Sequence, residues 1–146
     1  MWRRYIVPLR TLDHCSIRTL DLRATRDFYI DVLGLHEGDR PDFPFPGHWL
    51  CVDDCTVIHL VGVDPDDPSG LMGYLGGEID ADALTGSGAF DHIAFCATDA
   101  PAMLGRLKKN NVTFSERRVP NMDLHQIFVD DPNGITIELN YFDSQQ

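Results

Sequence analysis

His14, His59, His92 and Glu138 are the residues of this chain whose types and spacing best suit chemistry. His14 and His92 stand 78 positions apart (14 to 92), in the matching contexts Leu12-Asp13-His14-Cys15-Ser16-Ile17 and Phe90-Asp91-His92-Ile93-Ala94-Phe95. His59 and Glu138 stand 79 apart (59 to 138), in Val57-Ile58-His59-Leu60 and Thr136-Ile137-Glu138-Leu139. A lone His in a strand is ordinarily a satisfied polar residue, and a lone Glu on a last strand is ordinarily solvated. Two such pairs at repeat-equivalent positions point instead to a shared centre. Neutral imidazole and carboxylate are the usual ligands of zinc, iron, manganese or nickel. The expectation is therefore one divalent metal ion (Zn, Fe, Mn or Ni) held by His14, His59, His92 and Glu138. Two His and one Glu leave coordination positions open for a small-molecule substrate or dioxygen. His59 lies between Val57 and Val61, a dry setting that favours a neutral imidazole. It is thus both a candidate ligand and, with Glu138, a candidate catalytic acid/base.

These residues need strands to carry them. Leu12 to Thr19 reads as a strand, and Asp21 then caps a helix over Leu22 to Leu33 that ends at Gly34 in a left-handed cap. Leu35 to Arg40, His48 to Val52 and Thr56 to Val61 read as further strands. Pro41 to Gly47, with three prolines, must be a loop. The Gly-, Asp- and Pro-rich stretch 63–89 reads as a connector with one helical turn near Leu71 to Leu75. The second half repeats the first. A strand at Phe90 to Phe95 precedes a helix capped by Asp99 with Pro101 in its first turn, running to about Asn110. Strands follow at Thr113 to Val119 and Leu124 to Asp130, and after the turn Asp131-Pro132-Asn133-Gly134 the chain closes with Ile135 to Tyr141. The fold class is α+β. Two β-α-β-β-β modules, 12–62 and 90–142, form one domain with an open curved sheet around the metal. Strand alternation puts His14 beside Ser16, His92 beside Ala94 and Cys96, and Glu138 between Thr136 and Asn140.

Composition narrows the partners. The 146 residues carry 23 Asp plus Glu against 12 Lys plus Arg, a formal net charge of −11, which disfavours nucleic acid and anionic membrane surfaces. No apolar run approaches a membrane span, and the start Met1 to Pro8 has no apolar core of a signal peptide. Four cysteines without a C-x-x-C pair read as reduced thiols in a cytoplasmic protein.

Other residues join the candidates less directly. His125 alternates with Ile127 and Val129 and is either a polar strand-end residue or an imidazole near the site, a further catalytic candidate. His48 and Trp49 either line a cavity mouth or, for the aromatic, pack in the core. His36 reads as a surface residue, Asn140 and Tyr141 as possible ligand contacts, and Cys96 as a packed thiol. Arg117-Arg118 reads as an exposed charge pair that could also meet an acidic substrate.

The duplicated plan, Phe90-Asp91-His92-Ile93-Ala94-Phe95 and Asp131-Pro132-Asn133-Gly134-Ile135-Thr136-Ile137-Glu138 together resemble the vicinal oxygen chelate superfamily. That group holds glyoxalase I, methylmalonyl-CoA epimerase, fosfomycin and bleomycin resistance proteins, and extradiol dioxygenases. The resemblance spans about residues 12 to 142. It implies that His14, His92 and Glu138 hold the metal, with His59 where the glyoxalase and epimerase branches have Glu or Gln. It also implies a homodimer, leaving open whether sites lie within a chain or between chains. The activity implied is glyoxalase- or epimerase-like proton transfer, a lyase or isomerase reaction on a vicinally oxygenated molecule. An extradiol-type Fe(II) dioxygenase is the alternative, with His59 as acid/base, but Phe128 stands where those enzymes have a tyrosine. A third reading is a resistance-type protein that sequesters a ligand without turnover.

Overall fold

The structure is a computed structural model and describes residues 11–78, 80, 84–119 and 122–143. The first ten residues, and with them the start that lacks a signal-peptide pattern, lie outside the described residues, as do 79 and 81–83 of the expected connector. Strands β1 (Cys15–Thr19), β2 (His36–Gly38), β3 (Gly47–Val52) and β4 (Cys55–Gly62) form one sheet in the order β1-β4-β3-β2. Strands β5 (His92–Cys96), β6 (Phe114–Val119), β7 (Leu124–Asp130) and β8 (Thr136–Phe142) form a second in the order β5-β8-β7-β6. Each sheet is mixed: its first strand runs parallel to its last, and the other pairs are antiparallel. The fold is α+β with two copies of one sheet topology. Among the described residues no helix is long and apolar enough to cross a membrane.

Helix α1 (Leu22–Asp27) begins where Asp21 accepts the Ala24 amide at 2.9 Å. The expected single α-helix does not run on to Leu33. From Phe28 to Val32 the chain widens into a π-helical turn, with Leu33 N–H donating to Phe28 O at 3.2 Å and Leu35 N–H to Tyr29 O at 3.0 Å. Phe28, Tyr29 and Val32 are buried together on this turn. Gly34 (φ +87°) then takes the left-handed conformation that ends it. Helix α2 (Ser69–Leu75) lies in the connector, and α3 (Ala100–Lys109) starts at Asp99, whose carboxylate accepts from Ala102 N–H at 3.1 Å.

One hydrophobic core serves both modules. Ile17, Leu50, Ile58 and Leu60 from the first sheet meet Ile127, Val129, Ile137, Leu139 and Tyr141 from the second, with Phe28, Tyr29, Val32, Ala100 and Leu107 packed into the same cluster. The Asp131-Pro132-Asn133-Gly134 turn does more than reverse the chain. Asp131 is buried and accepts the Tyr29 hydroxyl at 3.0 Å, while Asn133 accepts from the Thr19 hydroxyl at 2.7 Å and donates to Thr25 Oγ1 at 3.1 Å. Buried polar groups need such partners, so this turn ties the second module to the first. Gly134 sits there at φ +82°.

Candidate metal centre

Residues paired across a sheet share a face. In the first sheet Ser16, His59 and Trp49 lie side by side on β1, β4 and β3, while Ile17 and Leu60, and Leu50 and Ile58, occupy the core face. In the second sheet Glu138 lies between Ala94 on β5 and Phe128 on β7, and Asn140 between Cys96 and Gln126. The candidate ligands are therefore on the faces that alternate with the core faces.

On the first sheet His14, just ahead of β1, stacks on His59 with ring centroids 3.6 Å apart and planes 15° apart. Trp49 stacks on His59 from a neighbouring strand at 4.2 Å and 8°. His59 is thus a ring between two others, and its nitrogens make no hydrogen bond with a described residue. Burial, and next the neighbouring His14, lower its pKa, so it is neutral at neutral pH. His14 Nδ1 is 2.6 Å from Asp13 Oδ2.

On the second sheet the partners are hydrogen-bonded rather than stacked. His92 Nδ1 is 2.7 Å from Asp91 Oδ2, and His92 Nε2 is 3.2 Å from Glu138 Oε2. Gln126 Nε2 donates to Glu138 Oε1 at 2.8 Å and to Asn140 Oδ1 at 2.9 Å. Arg117 in turn donates twice to Gln126 Oε1, at 2.9 and 2.7 Å, with its guanidinium carbon 5.2 Å from the Phe128 ring centroid. The hydrogen bond to Asp91, helped by Glu138, raises the pKa of His92. Glu138 is 8% exposed, so this polar chain is set into the sheet rather than laid on it.

The donor set fits a divalent ion. Each of the repeat-equivalent histidines has Nδ1 tied to the carboxylate before it, which leaves Nε2 to turn outward, in His92 toward Glu138. A carboxylate on the far nitrogen is how metal-binding imidazoles are oriented. The sequence leaves open whether the four side chains meet within one chain or between chains. Among the described residues no three His, Cys, Asp or Glu side chains come together to hold an ion. The modules share a core through one face of each sheet, so the pairs His14/His59 and His92/Glu138 stand apart on the other faces.

The other expected residues fall as follows. His125 is paired with Tyr141 on the core face, opposite Glu138, and its Nε2 is 2.7 Å from Glu116 Oε2. It is 9% exposed and takes no part in the Glu138 cluster. Its strand partner Tyr141 is fully buried, not a ligand contact; among the described residues its hydroxyl has no hydrogen-bond partner, and burial foremost pushes its pKa up to about 12. Cys96 is exposed, because β5 is an edge strand with His92, Ala94 and Cys96 on its open face. Trp49 lines a cavity beside His59 rather than the core, and His48 hydrogen-bonds Glu37. Arg117 and Arg118 are both exposed, as expected, but they are engaged differently: Arg117 donates to Gln126, and Arg118 lies 3.3 Å from Asp143. Gln126 was invisible to sequence reading. Its one signal was parity, two positions before Phe128 on the strand opposite Glu138.

Comparison with known proteins follows the fold. Residues 11–139 match the family model described as Glyoxalase/Bleomycin resistance protein/Dioxygenase superfamily. A lactoylglutathione lyase from Pseudomonas putida is 28% identical over 142 residues, covering 87% of this chain and 82% of that protein. Among solved structures, a glyoxalase family protein from Bacillus anthracis superposes with a TM-score of 0.68 at 18% identity, covering 97% of this chain and 99% of that one. The fosfomycin resistance protein FosX from Listeria monocytogenes gives 0.64 at 16% identity, covering 91% and 93%.

Proposed function

The chain belongs to the glyoxalase/bleomycin resistance protein/dioxygenase superfamily, and from that premise we propose a metal-dependent lyase or isomerase that moves a proton on a small molecule with vicinal oxygens. The observation that carries the reading is the duplicated Asp-His pair, Asp13-His14 and Asp91-His92, each with Nδ1 bound to its carboxylate, and with His92 Nε2 3.2 Å from the Glu138 carboxylate. Because each chain presents two pairs that do not meet, we propose a homodimer in which His14 and His59 of one copy face His92 and Glu138 of a second. A two-fold axis then makes two equivalent sites from two equivalent half-sites. His14, His92 and Glu138 would hold the ion, with His59 beside it. When bound, the ion supplies Lewis-acid polarisation of a substrate oxygen.

The chain's own residues supply the rest. His59, neutral and without a hydrogen-bond partner, is free to accept or return a proton at a ring nitrogen. Trp49 keeps its ring in plane. Glu138 is oriented by Gln126, so one oxygen is engaged and the other stays directed at the His92 side. Phe128, opposite Glu138, offers no hydroxyl, which supports the oxygen-independent branch.

Elemental analysis of protein purified without added ions tests the reading, with about one divalent ion per chain expected and a lower melting temperature after chelation. Absence of any tightly bound first-row metal would defeat it. Oxygen uptake with simple catechols on iron-loaded protein would move the activity to the dioxygenases.

A further inference from the structure

A cavity of about 340 Å³ opens against the first histidine pair, within the size range of small-molecule sites. Besides His14 and His59 its wall is unusual for this chain. It holds four aromatic rings, Phe43, Phe45, Trp49 and Tyr74, two guanidinium groups, Arg18 and Arg40, and no carboxylate. In a chain of net charge −11 that is a local reversal of sign.

The rings are arranged rather than merely gathered. Phe43 and Phe45 stack at 5.3 Å and 13°, and Tyr74 meets them at 5.5 and 5.2 Å, at 68° and 57°. Phe43 lies 6.3 Å from Trp49, which continues into the His59–His14 stack. The loop carrying the two phenylalanines alternates with Pro44 and Pro46, whose rings fix φ. It is also clamped on both sides: a Cβ on Gly47 would run into the Leu60 carbonyl, and one on Gly70 of α2 into the Pro44 carbonyl. Tyr74 is 57% exposed, so a large aromatic surface stays open at the rim instead of closing the core.

The two arginines differ in what they are free to do. Arg40 is committed, donating to Phe45 O at 2.8 Å with its guanidinium carbon 4.9 and 5.3 Å from the Phe43 and Phe45 centroids. Arg18 makes no hydrogen bond or ion pair with any described residue. It shares the face of Ser16 and His59, so it has all its donors to offer a ligand.

We propose that this cavity binds a planar, π-conjugated organic anion, with its ring system against Phe43, Trp49 and Tyr74 and its carboxylate or equivalent acidic group on Arg18. The inference rests on the reading of His14 and His59 as half of the reaction site, because both line the same cavity, and it adds the substrate's class. Aromatic faces and edges favour a flat conjugated partner over an aliphatic one of equal size. An unpaired guanidinium favours a carboxylate over a neutral group.

Isothermal titration of the full-length protein with three probes tests this: 2-naphthoate, 2-naphthylmethanol (the rings without the charge) and cyclohexanecarboxylate (the charge without the rings). Naphthoate is expected to bind at least about tenfold tighter than either control, each control lacking one charge-assisted or stacking contact. Arg18→Gln, an exposed strand position, is expected to remove about tenfold for naphthoate and leave naphthylmethanol unchanged. Tyr74→Leu, at the open rim, is expected to weaken both aromatic probes and leave the aliphatic acid alone. Equal affinity for all three probes overturns the proposal, as does naphthoate binding that ignores Arg18→Gln. Bound metal is measured in the same samples. Metal-free protein that ranks the probes as expected keeps the cavity and refutes the ion; metal-loaded protein that does not rank them refutes the cavity alone.

Discussion

The two modules share a topology and an Asp-His pair, yet they hold their candidate ligands by different forces. In the first, His59 is gripped by ring faces, between Trp49 at 4.2 Å and His14 at 3.6 Å. In the second, Glu138 is held by hydrogen bonds running Arg117–Gln126–Glu138 and by an ion pair with His92, itself bonded to Asp91. Stacking fixes a ring's plane but leaves its nitrogens uncommitted, whereas a hydrogen-bond chain fixes the donor atoms themselves. On the proposed reading, hydrogen bonds would fix the second half's donors on an ion, and stacking would leave His59 free for a proton beside the aromatic cavity. The comparison can be broken at several points.

The largest effect comes from mixing the halves. His14→Ala damages the first half and Glu138→Gln the second, so each homodimer is expected to hold no ion. If sites are shared across the dimer, the purified heterodimer of the two variants has one intact site and one doubly damaged site. It is expected to hold about one ion. Heterodimers as empty as their parents would place each site within a chain. Alongside it, His59→Ala is expected to keep most of the metal while losing most of the turnover, because an imidazole held only by ring faces is the least constrained of the four. If His59→Ala is as metal-poor as His14→Ala, the stacked ring is a ligand and the contrast between the halves fails.

Next in size are the supports. Gln126→Leu removes the donor on Glu138 Oε1 and the acceptor of Arg117, leaving the buried Glu138 carboxylate short of a partner. Loss of such a supporting hydrogen bond lowers metal affinity by about 10–100-fold. Trp49→Leu, the corresponding change in the first half, is expected to leave metal affinity nearly unchanged and to lower turnover through His59. Competition titration with a chromogenic chelator, run beside a rate measurement, separates the two patterns. Equal losses of affinity in both variants would mean that stacking and hydrogen bonding do the same work here.

The tie between the modules gives a stability prediction. Tyr29 is fully buried and donates to Asp131. Tyr29→Phe leaves the carboxylate short of one donor and is expected to cost about 1.5–3 kcal/mol in urea unfolding. In a double-mutant cycle with Asp131→Asn, the coupling should be of similar size if the bond joins one cooperative unit. No measurable coupling would mean that the modules unfold separately and that core contacts alone hold them.

Much of this was legible in the sequence, and the gaps have physical causes. Period-2 alternation and Asp, Gly and Pro punctuation locate the strands because those signals are local. Leu124–Asp130 begins and ends where the sequence reading put it. Parity also grouped His59 with Val57 and Val61, and Glu138 with Thr136 and Asn140. It could not say whether those faces meet within one chain, since that depends on how two modules dock. His125 illustrates the limit. Its alternation with Ile127 and Val129 already put it on an apolar face, and only the cross-strand partner Tyr141 shows that this face is the core. The π-helical turn at Phe28–Val32 escaped because the i, i+1, i+4 spacing of Phe28, Tyr29 and Val32 suits a regular helix equally well. Trp49 and Arg18 gain their meaning from neighbours on β4, which composition does not reveal.

The smallest effect is the most direct reading of the contrast: the titration of the imidazoles in metal-free protein. His59 has its pKa lowered, first by burial and then by His14; His92 has its pKa raised, first by the hydrogen bond to Asp91 and then by Glu138. Both start from an ordinary value of 6.5, so as the pH falls from 8 to 5 His92 is expected to gain its proton first and His59 last. The signs of the linkage are opposite. The contribution of His92 to stability is fully present below the ordinary value and is lost as pH rises through its raised pKa. The neutral form of His59 favours the fold above the ordinary value, and that preference is lost as pH falls through its lowered pKa. Long-range ¹H–¹⁵N spectra of the ring nitrogens resolve the two curves, with His59→Ala and His92→Ala spectra assigning them. The ion competes with the proton at His92 Nε2, so its addition should flatten the His92 curve before it touches His59. Coincident curves for the two rings would show that stacking and hydrogen bonding impose the same protonation on both halves.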